Sequence, residues 1–221
     1  MAPIRDVHLF VLDTLADWEP GFAVAHLNRP APGVPSRYRV RTVGLDRTPV
    51  RTVGGLTIVP ELALAELAPE DSALLLLPGS DLWGDPVTDP ALAMARRFVE
   101  AQVPVAAICG ATLGLARAGL LDDRRHTSNH PSLLAGSGYR GAALYVDDPA
   151  IDDRGVITAS ALAPLEFARV ILDRLQAFPP AALDAWYGLY KTRDPACYFA
   201  LMEAFATGGP SGEPAGAAPT A

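Results

Sequence analysis

The segment VAAICGATLGLARAG, residues 105–119, decides how the rest of the chain is read. Four apolar residues, 105–108, end at a lone cysteine, Cys109, and Gly110, Ala111 and Thr112 lead into a helix-forming run. A short apolar run bounded in this way reads as a buried strand, which puts Cys109 on a strand-to-helix turn. A nucleophile on such a turn projects above the sheet, and the crowded turn requires small residues two positions to either side. Ala107 and Ala111 meet that requirement, and Gly110 relaxes the turn further. A thiol at a helix N-terminus is also expected to lose its proton more readily, through the free N–H groups and the helix dipole. Free cysteine is nevertheless among the most buried residue types, so the segment by itself fits a structural thiol as well as a nucleophile.

Outward from this turn the pattern repeats. VHLFVLD (7–13) and ALLLLPGS (73–80) are further buried strands, and VPVAAI (103–108) is the one that ends at Cys109. YRVRTVGL (38–45) alternates as a half-exposed strand does, and VRTVGGLTIVP (50–60) carries Gly54-Gly55 between two β-like runs, a hairpin signal. AALYV (142–146) and GVITAS (155–160) read as shorter strands. Helices are expected from Pro20, with Trp18, Phe22 and Ala25 on the buried face, and over 91–101, 110–119 and 164–178. Buried strands alternating with helices indicate a mostly parallel sheet covered on both faces. Ligands of such sheets gather at the carboxyl ends of the strands. Asp13, Gly79 and Cys109 all fall at or just past such ends.

The chain has 221 residues, half of them apolar, enough for one large domain without disulfides. Two distant cysteines, Cys109 and Cys197, suit a reducing compartment better than a disulfide scaffold. A formal charge of −7, with Lys191 the sole lysine, argues against nucleic acid as a partner. The apolar run near the N-terminus is too short for a signal-peptide core, and no stretch reaches bilayer-spanning length; the expectation is a cytoplasmic protein with no membrane partner. Residues 1–178 read as the α/β domain and 179–206 as a helical extension holding Trp186, Tyr187, Tyr190, Tyr198, Phe199 and Phe205. That extension is either an appendage on the core or a dimer contact or lid. Residues 207–221 read as a disordered tail. No CxxC, HExxH, P-loop or dinucleotide GxGxxG occurs, so neither a metal nor a nucleotide cofactor is expected.

DTLADWEPG (13–21), LLLLPGS (74–80), AAICGAT (106–112), RRHTSN (124–129) and GVITAS (155–160), in this order and approximate spacing, resemble the DJ-1/PfpI family of the class I glutamine amidotransferase-like superfamily. The extension resembles one found in a bacterial branch of that family. The resemblance implies an α/β, flavodoxin-like three-layer sandwich with C-terminal helices, and usually a homodimer. It implies Cys109 as the reactive thiol and Glu19 as its acidic partner, protonated and donating to the sulfur. Burial beside a thiolate raises such a carboxyl's pKa, whereas a helix N-terminus lowers it. Gly79, Ser80 and Gly110 match the turns whose backbone N–H groups can form an oxyanion pocket. Trp83 is a candidate wall of the substrate pocket, and His126, Asn129 and His130 are candidate pocket residues.

Three departures from the family pattern bear on function. Gly110 stands where peptidase-like members carry a histidine. Asn129 follows Thr127-Ser128 where many members have a histidine, with His130 one place late. TASALAPLE (158–166) lacks the His-x-Glu of true glutaminases. The expected function is therefore a cysteine-dependent enzyme acting on a small electrophilic substrate, by glyoxalase-like hydration or hydratase, hydrolase or lyase chemistry, with Glu19 shuttling the proton. The alternatives are a redox-responsive or chaperone-like stress protein without turnover, and an amidotransferase-like biosynthetic protein.

Overall fold

The computed structural model describes residues 3–207. Strand β1 (Arg5–Phe10) leads through a loop to helix α1 (Gly21–Asn28), followed by β2 (Tyr38–Gly44), a two-stranded hairpin β3 (Val50–Arg51) and β4 (Thr57–Ile58), and β5 (Leu62–Ala63). Next come β6 (Ser72–Leu77), α2 (Asp89–Glu100), β7 (Val105–Ile108), α3 (Gly110–Arg117) and the single-turn α4 (Pro131–Ala135). The domain closes with β8 (Ala150–Asp153), β9 (Val156–Ala159) and α5 (Pro164–Arg174), and α6 (Pro180–Thr192) and α7 (Pro195–Thr207) follow.

Seven strands form one sheet in the order β5-β2-β1-β6-β7-β9-β8. All neighbours run parallel except β8, which pairs antiparallel with β9. Helices α1 and α5 pack together on one side, and α2 and α3 pack together on the other. Central strands covered on both faces must be apolar throughout, not alternating. Accordingly every residue of β6 and β7 is buried, and each large side chain removed from water there contributes about 1.5–3 kcal/mol. This is the α/β, flavodoxin-like sandwich.

Some expected elements differ. β1 ends at Phe10 rather than 13, although Val11 and Leu12 stay buried as the chain turns toward the site. Helix α1 buries Ala23 and Leu27, whereas Ala25 is exposed and Trp18, outside the helix, is 55% exposed. AALYV is not a strand: Ala142–Leu144 form a 3-10 turn, and Tyr145 makes an isolated bridge to His126. The strand that occupies that edge is β8, AIDD, whose acidic composition conceals it.

Helix α6 docks on the core. Trp186 is fully buried with its ring 5.1 Å from that of His26, 6.4 Å from Phe22 and 6.1 Å from Phe178. Next to Trp186 on α6, Tyr187 Oη and, one turn later, Lys191 Nζ both donate to Glu166 Oε1 of α5, at 2.9 and 2.7 Å. Helix α7 packs on α6 and buries only Leu201, leaving Phe199 exposed. Apart from Thr207, which ends α7, the expected disordered tail lies outside the described residues. Among the described residues no helix is long and apolar enough to cross a membrane.

Candidate functional site

Cys109 joins β7 to α3 with φ 59° and ψ −126°. A non-glycine residue in that region carries strain of about 1–3 kcal/mol, which persists only where the surroundings fix it. Here they do. Its N–H bonds to the carbonyl of Ala159 on β9, and its carbonyl accepts from Thr112 Oγ1 at 2.6 Å and Thr112 N–H at 3.1 Å. Thr112 Oγ1 also pairs with Ser128 Oγ at 2.7 Å, tying the elbow to the 126–130 loop. Both hydroxyl-bearing residues are buried.

Small residues around the elbow admit its neighbours. A methyl group on Gly110 would lie 2.8 Å from the carbonyl oxygen of Ser80, and one on Gly114 would lie 2.7 Å from the Trp83 ring. Helix α3 thus rests directly on Trp83. That indole is 1% exposed, donates Nε1–H to Pro78 O at 2.7 Å and packs on Phe10. Trp83 packs against α3 and, being buried, does not form the wall of a solvent-facing pocket that the sequence predicts.

Glu19 is fully buried. Its Oε2 accepts the Gly79 N–H at 2.6 Å. Its Oε1 is buried with no hydrogen-bond partner among the described residues, and the carboxyl as a whole interacts with the Cys109 thiol. Burial pushes the Glu19 carboxyl above its ordinary pKa, against the pull of the Gly79 N–H and the thiol. The loop that carries Glu19 is clamped on two sides. Ala16 N–H bonds Gly79 O, and Ser80 Oγ donates to Asp13 O. On the other side Asp13 and Asp17 accept the N–H groups of Arg51 and Gly54 from the β3–β4 hairpin, both at 2.7 Å. This hairpin is the support for Glu19, and nothing in its own sequence marks that role.

Burial also pushes the Cys109 thiol above its ordinary pKa. Asn129 opposes this: its Nδ2–H donates to Sγ at 3.3 Å, while its Oδ1 accepts Ala161 N–H at 2.8 Å and so fixes which end of the amide faces the sulfur. A Glu19 carboxylate raises the thiol pKa by charge and as an acceptor, whereas the Gly110 N–H lowers it. The helix N-terminus alone therefore does not produce the easily ionised thiol expected from sequence. The Glu19 contribution reverses in sign once that carboxyl is protonated, because it then donates to sulfur and carries no charge.

The expected trio of oxyanion donors is reduced. Gly79 N–H is engaged by Glu19, and Gly110 N–H bears on the sulfur. Ser80 N–H has no intramolecular acceptor among the described residues. Of the two histidines, His126 is fully buried, with Nδ1 on Arg124 O at 2.8 Å and Nε2 toward Tyr139 Oη at 3.4 Å. Its ring lies between those of Tyr139 and Tyr145. His130 caps α4, with Nδ1 engaged by Ser132. Both histidines are taken up by local structure, and Asn129 is the side chain of this loop that reaches the thiol. Cys197 sits on α7 against Gly188, apart from this cluster.

The DJ-1/PfpI family profile matches residues 5–174, the whole of the sheet and the site together. The chain belongs to the DJ-1/PfpI family. Among its relatives, a Bacillus subtilis protein named "Uncharacterized protease YoaZ" is 40% identical over 202 residues, covering 90% of this chain and 96% of that protein. A second B. subtilis protein, "Uncharacterized protease YdeA", is 30% identical and covers 81% of this chain and 90% of its own length. Among solved structures, a ThiJ/PfpI family protein from Bacillus anthracis superposes with a TM-score of 0.85 at 38% identity, covering 91% of this chain and 97% of the other. The DJ-1 superfamily protein Atu0886 from Agrobacterium tumefaciens gives 0.77 at 31% identity, covering 86% and 99%. The B. subtilis YoaZ and B. anthracis matches span nearly their own whole lengths, so the α6–α7 extension falls within the likeness. The DJ-1/PfpI site of this chain presents an amide, Asn129, to the thiol.

Proposed function

We propose that this DJ-1/PfpI protein is a cysteine-dependent enzyme that hydrates a small α-oxoaldehyde or a related carbon electrophile, with Cys109 as nucleophile and Glu19 as proton carrier. The observation that carries this reading is the pairing of a fully buried carboxyl, held by the Gly79 N–H, with a half-buried thiol on a strained elbow. In such a reaction Cys109 Sγ adds to the aldehyde carbon, and the carbonyl oxygen takes the proton that Glu19 carries. The Glu19 carboxylate then removes the C–H proton from the adduct and returns it to the neighbouring carbon, while the hydroxyl proton on the first carbon passes to the oxygen of the second, giving a 2-hydroxy thioester. Water cleaves the thioester, releasing a 2-hydroxy acid and restoring the thiol. Ser80 N–H is the donor available to a developing oxyanion.

The names of the two B. subtilis relatives point instead to peptide hydrolysis. Amide cleavage requires an acid positioned at the departing amine. Asn129 cannot supply a proton and His126 and His130 are engaged elsewhere, so Glu19 would have to serve both the sulfur and the departing amine. This favours carbonyl chemistry over peptidase chemistry. The same reading takes the cytoplasm as the compartment, because the reactive thiol must stay reduced, and a homodimer as the assembly.

A substrate panel of α-oxoaldehydes, nitriles and peptides, run on the wild type and Cys109→Ala, tests the reading. Methylglyoxal turnover lost in Cys109→Ala supports it. Cys109-dependent peptide cleavage overturns it in favour of a protease, and the absence of any Cys109-dependent turnover overturns it in favour of a non-enzymatic role.

A further inference from the structure

Thr14, in the loop between β1 and Glu19, stands at φ 61°, in the left-handed region. For a β-branched side chain that conformation is an outlier, and such strain persists only where the surroundings impose it. Three hydrogen bonds impose it here. The Thr14 N–H bonds to Arg51 O of the β3–β4 hairpin at 2.8 Å. Its Oγ1 accepts the Asp81 N–H at 2.9 Å and pairs with Ser80 Oγ, also at 2.9 Å. Ser80 Oγ donates its own proton to Asp13 O at 2.8 Å, so the Thr14 hydroxyl is the donor in that pair.

These bonds leave one donor over in the turn after β6. The Gly79 N–H goes to Glu19, that of Asp81 to Thr14 Oγ1, and that of Leu82 to Ser80 Oγ at 3.1 Å. The Ser80 N–H has no acceptor among the described residues. Its direction follows from its own peptide group. Gly79 O accepts the Ala16 N–H at 3.0 Å, and in a trans peptide the N–H points opposite to the C=O. The Ser80 N–H therefore faces away from Ala16. It also lies beside the elbow. A methyl group on Gly110 would stand 3.7 Å from Ser80 N, and one on Gly79 would stand 2.8 Å from Cys109 Cβ.

We propose that Thr14 is a positioning residue for the oxyanion donor. Its hydroxyl holds Ser80 and Asp81 so that the Ser80 N–H stays unpaired beside Cys109 and receives the oxygen that turns negative when the thiolate adds to a carbonyl. The inference rests on the reading of Cys109 as a nucleophile toward carbonyl carbon, and it names the side chain that keeps the donor in place. A donor fixed before the reaction stabilises developing charge without reorganising. Without the Thr14 hydroxyl the Asp81 N–H loses its acceptor, Ser80 Oγ loses a donor, and the turn is free to rotate.

Trifluoroacetone tests this without any turnover. The Cys109 thiolate adds to its carbonyl carbon, the π electrons move to oxygen, and fluorine NMR of the adduct reads the pH at which that alkoxide takes up a proton. Cys109→Ala supplies the blank. Thr14→Val removes the hydroxyl and keeps the shape, Thr14→Gly removes it and relieves the backbone, and Thr14→Ser retains it. The alkoxide pKa should rise by about one unit in Thr14→Val and Thr14→Gly, a tenfold loss of oxyanion stabilisation. It should stay at the wild-type value in Thr14→Ser. A methanethiosulfonate reagent modifies the same thiol without forming an alkoxide, so its rate with Cys109 should be equal in all four proteins. If Thr14→Val does not fold, the strain-free Thr14→Gly decides. The proposal is overturned if the wild type forms no Cys109-dependent adduct, if the folded Val or Gly variant titrates as the wild type does, or if Thr14→Ser fails to restore the wild-type pKa. It is also overturned if the methanethiosulfonate rate falls with the oxyanion stabilisation, which would make Thr14 a support of the thiol itself. The expected shifts in a protein that turns over no methylglyoxal would support the role of Thr14 while overturning hydration as the reaction.

Discussion

The backbone N–H of Gly79 lies 2.6 Å from Oε2 of Glu19, and residue 79 has no side chain because there is no room for one. A methyl group there would lie 2.5 Å from Glu19 Oε2 and 2.8 Å from Cys109 Cβ. The turn after β6, the loop before α1 and the elbow after β7 therefore converge on one point with no spare volume. One carboxyl oxygen is satisfied by backbone. The other is buried without a hydrogen-bond partner, in a carboxyl that interacts with the Cys109 thiol, and protonation spares it from standing as an unpaired buried charge.

Gly79→Ala should therefore separate the pair without substituting either member. The added carbon pushes the carboxyl or the elbow aside, at a stability cost of about 1–3 kcal/mol. The variant should fold with a lowered Tm, and its Cys109 alkylation rate should no longer match the wild type at any pH. An unchanged alkylation profile would mean the contact does not govern the thiol.

Asn129→Ala removes the Nδ2–H that donates to Sγ at 3.3 Å. A hydrogen bond to a charged group contributes about 1.5–3 kcal/mol, and one pKa unit corresponds to about 1.4 kcal/mol. The thiol pKa should rise by about one unit or more, and alkylation near neutral pH should slow about tenfold. Mass-spectrometric rates for Cys109, with Cys197 as the internal reference, check this directly.

Much of the architecture is legible in the residues. The unbroken apolar runs of β6 and β7 require burial on both faces, and the small residues around Cys109 require a tight turn into a helix. The acidic strand β8 was not legible, because an edge strand that pairs on one side needs no apolar pattern. Trp18 lies off the buried helical face because the helix does not extend upstream of Pro20, so helical spacing does not apply to it. At the site, Cys109 and Glu19 could be named from motif order, but the use of the Gly79 N–H could not, since a glycine turn says nothing about where its donor points. His126 stood out by residue type, yet Arg124 O and Tyr139 Oη already engage its nitrogens. The supports from Asp17, Thr112 and Ser128 join residues 16 or more positions apart, and no local pattern announces them.

The docking of α6 should depend on pH. Burial works to raise the Glu166 pKa, but hydrogen bonds from Lys191 and Tyr187 outweigh it and hold the carboxyl below its ordinary value. A depressed carboxyl contributes stability that is present above the unfolded-state pKa, about 4.3, and is lost as pH falls through the lower folded-state value. Glu166→Gln should therefore have a lower Tm than the wild type at neutral pH, and the gap should close as pH falls below about 4. Melting curves across that range check it, and a constant gap would contradict it.

The protonation state of Glu19 is best tested by the pH dependence of Cys109 alkylation in the wild type, Glu19→Gln and Glu19→Ala. A protonated Glu19 donating to sulfur stabilises thiolate. Glu19→Gln retains a donor, so its thiol pKa should stay near the wild type, while methylglyoxal turnover falls by about 10²-fold because an amide cannot carry the proton. Glu19→Ala should raise the thiol pKa by about one unit, the value of the lost donor. A thiol pKa that falls in Glu19→Ala would contradict the account, because it would show an ionised Glu19 opposing the thiolate.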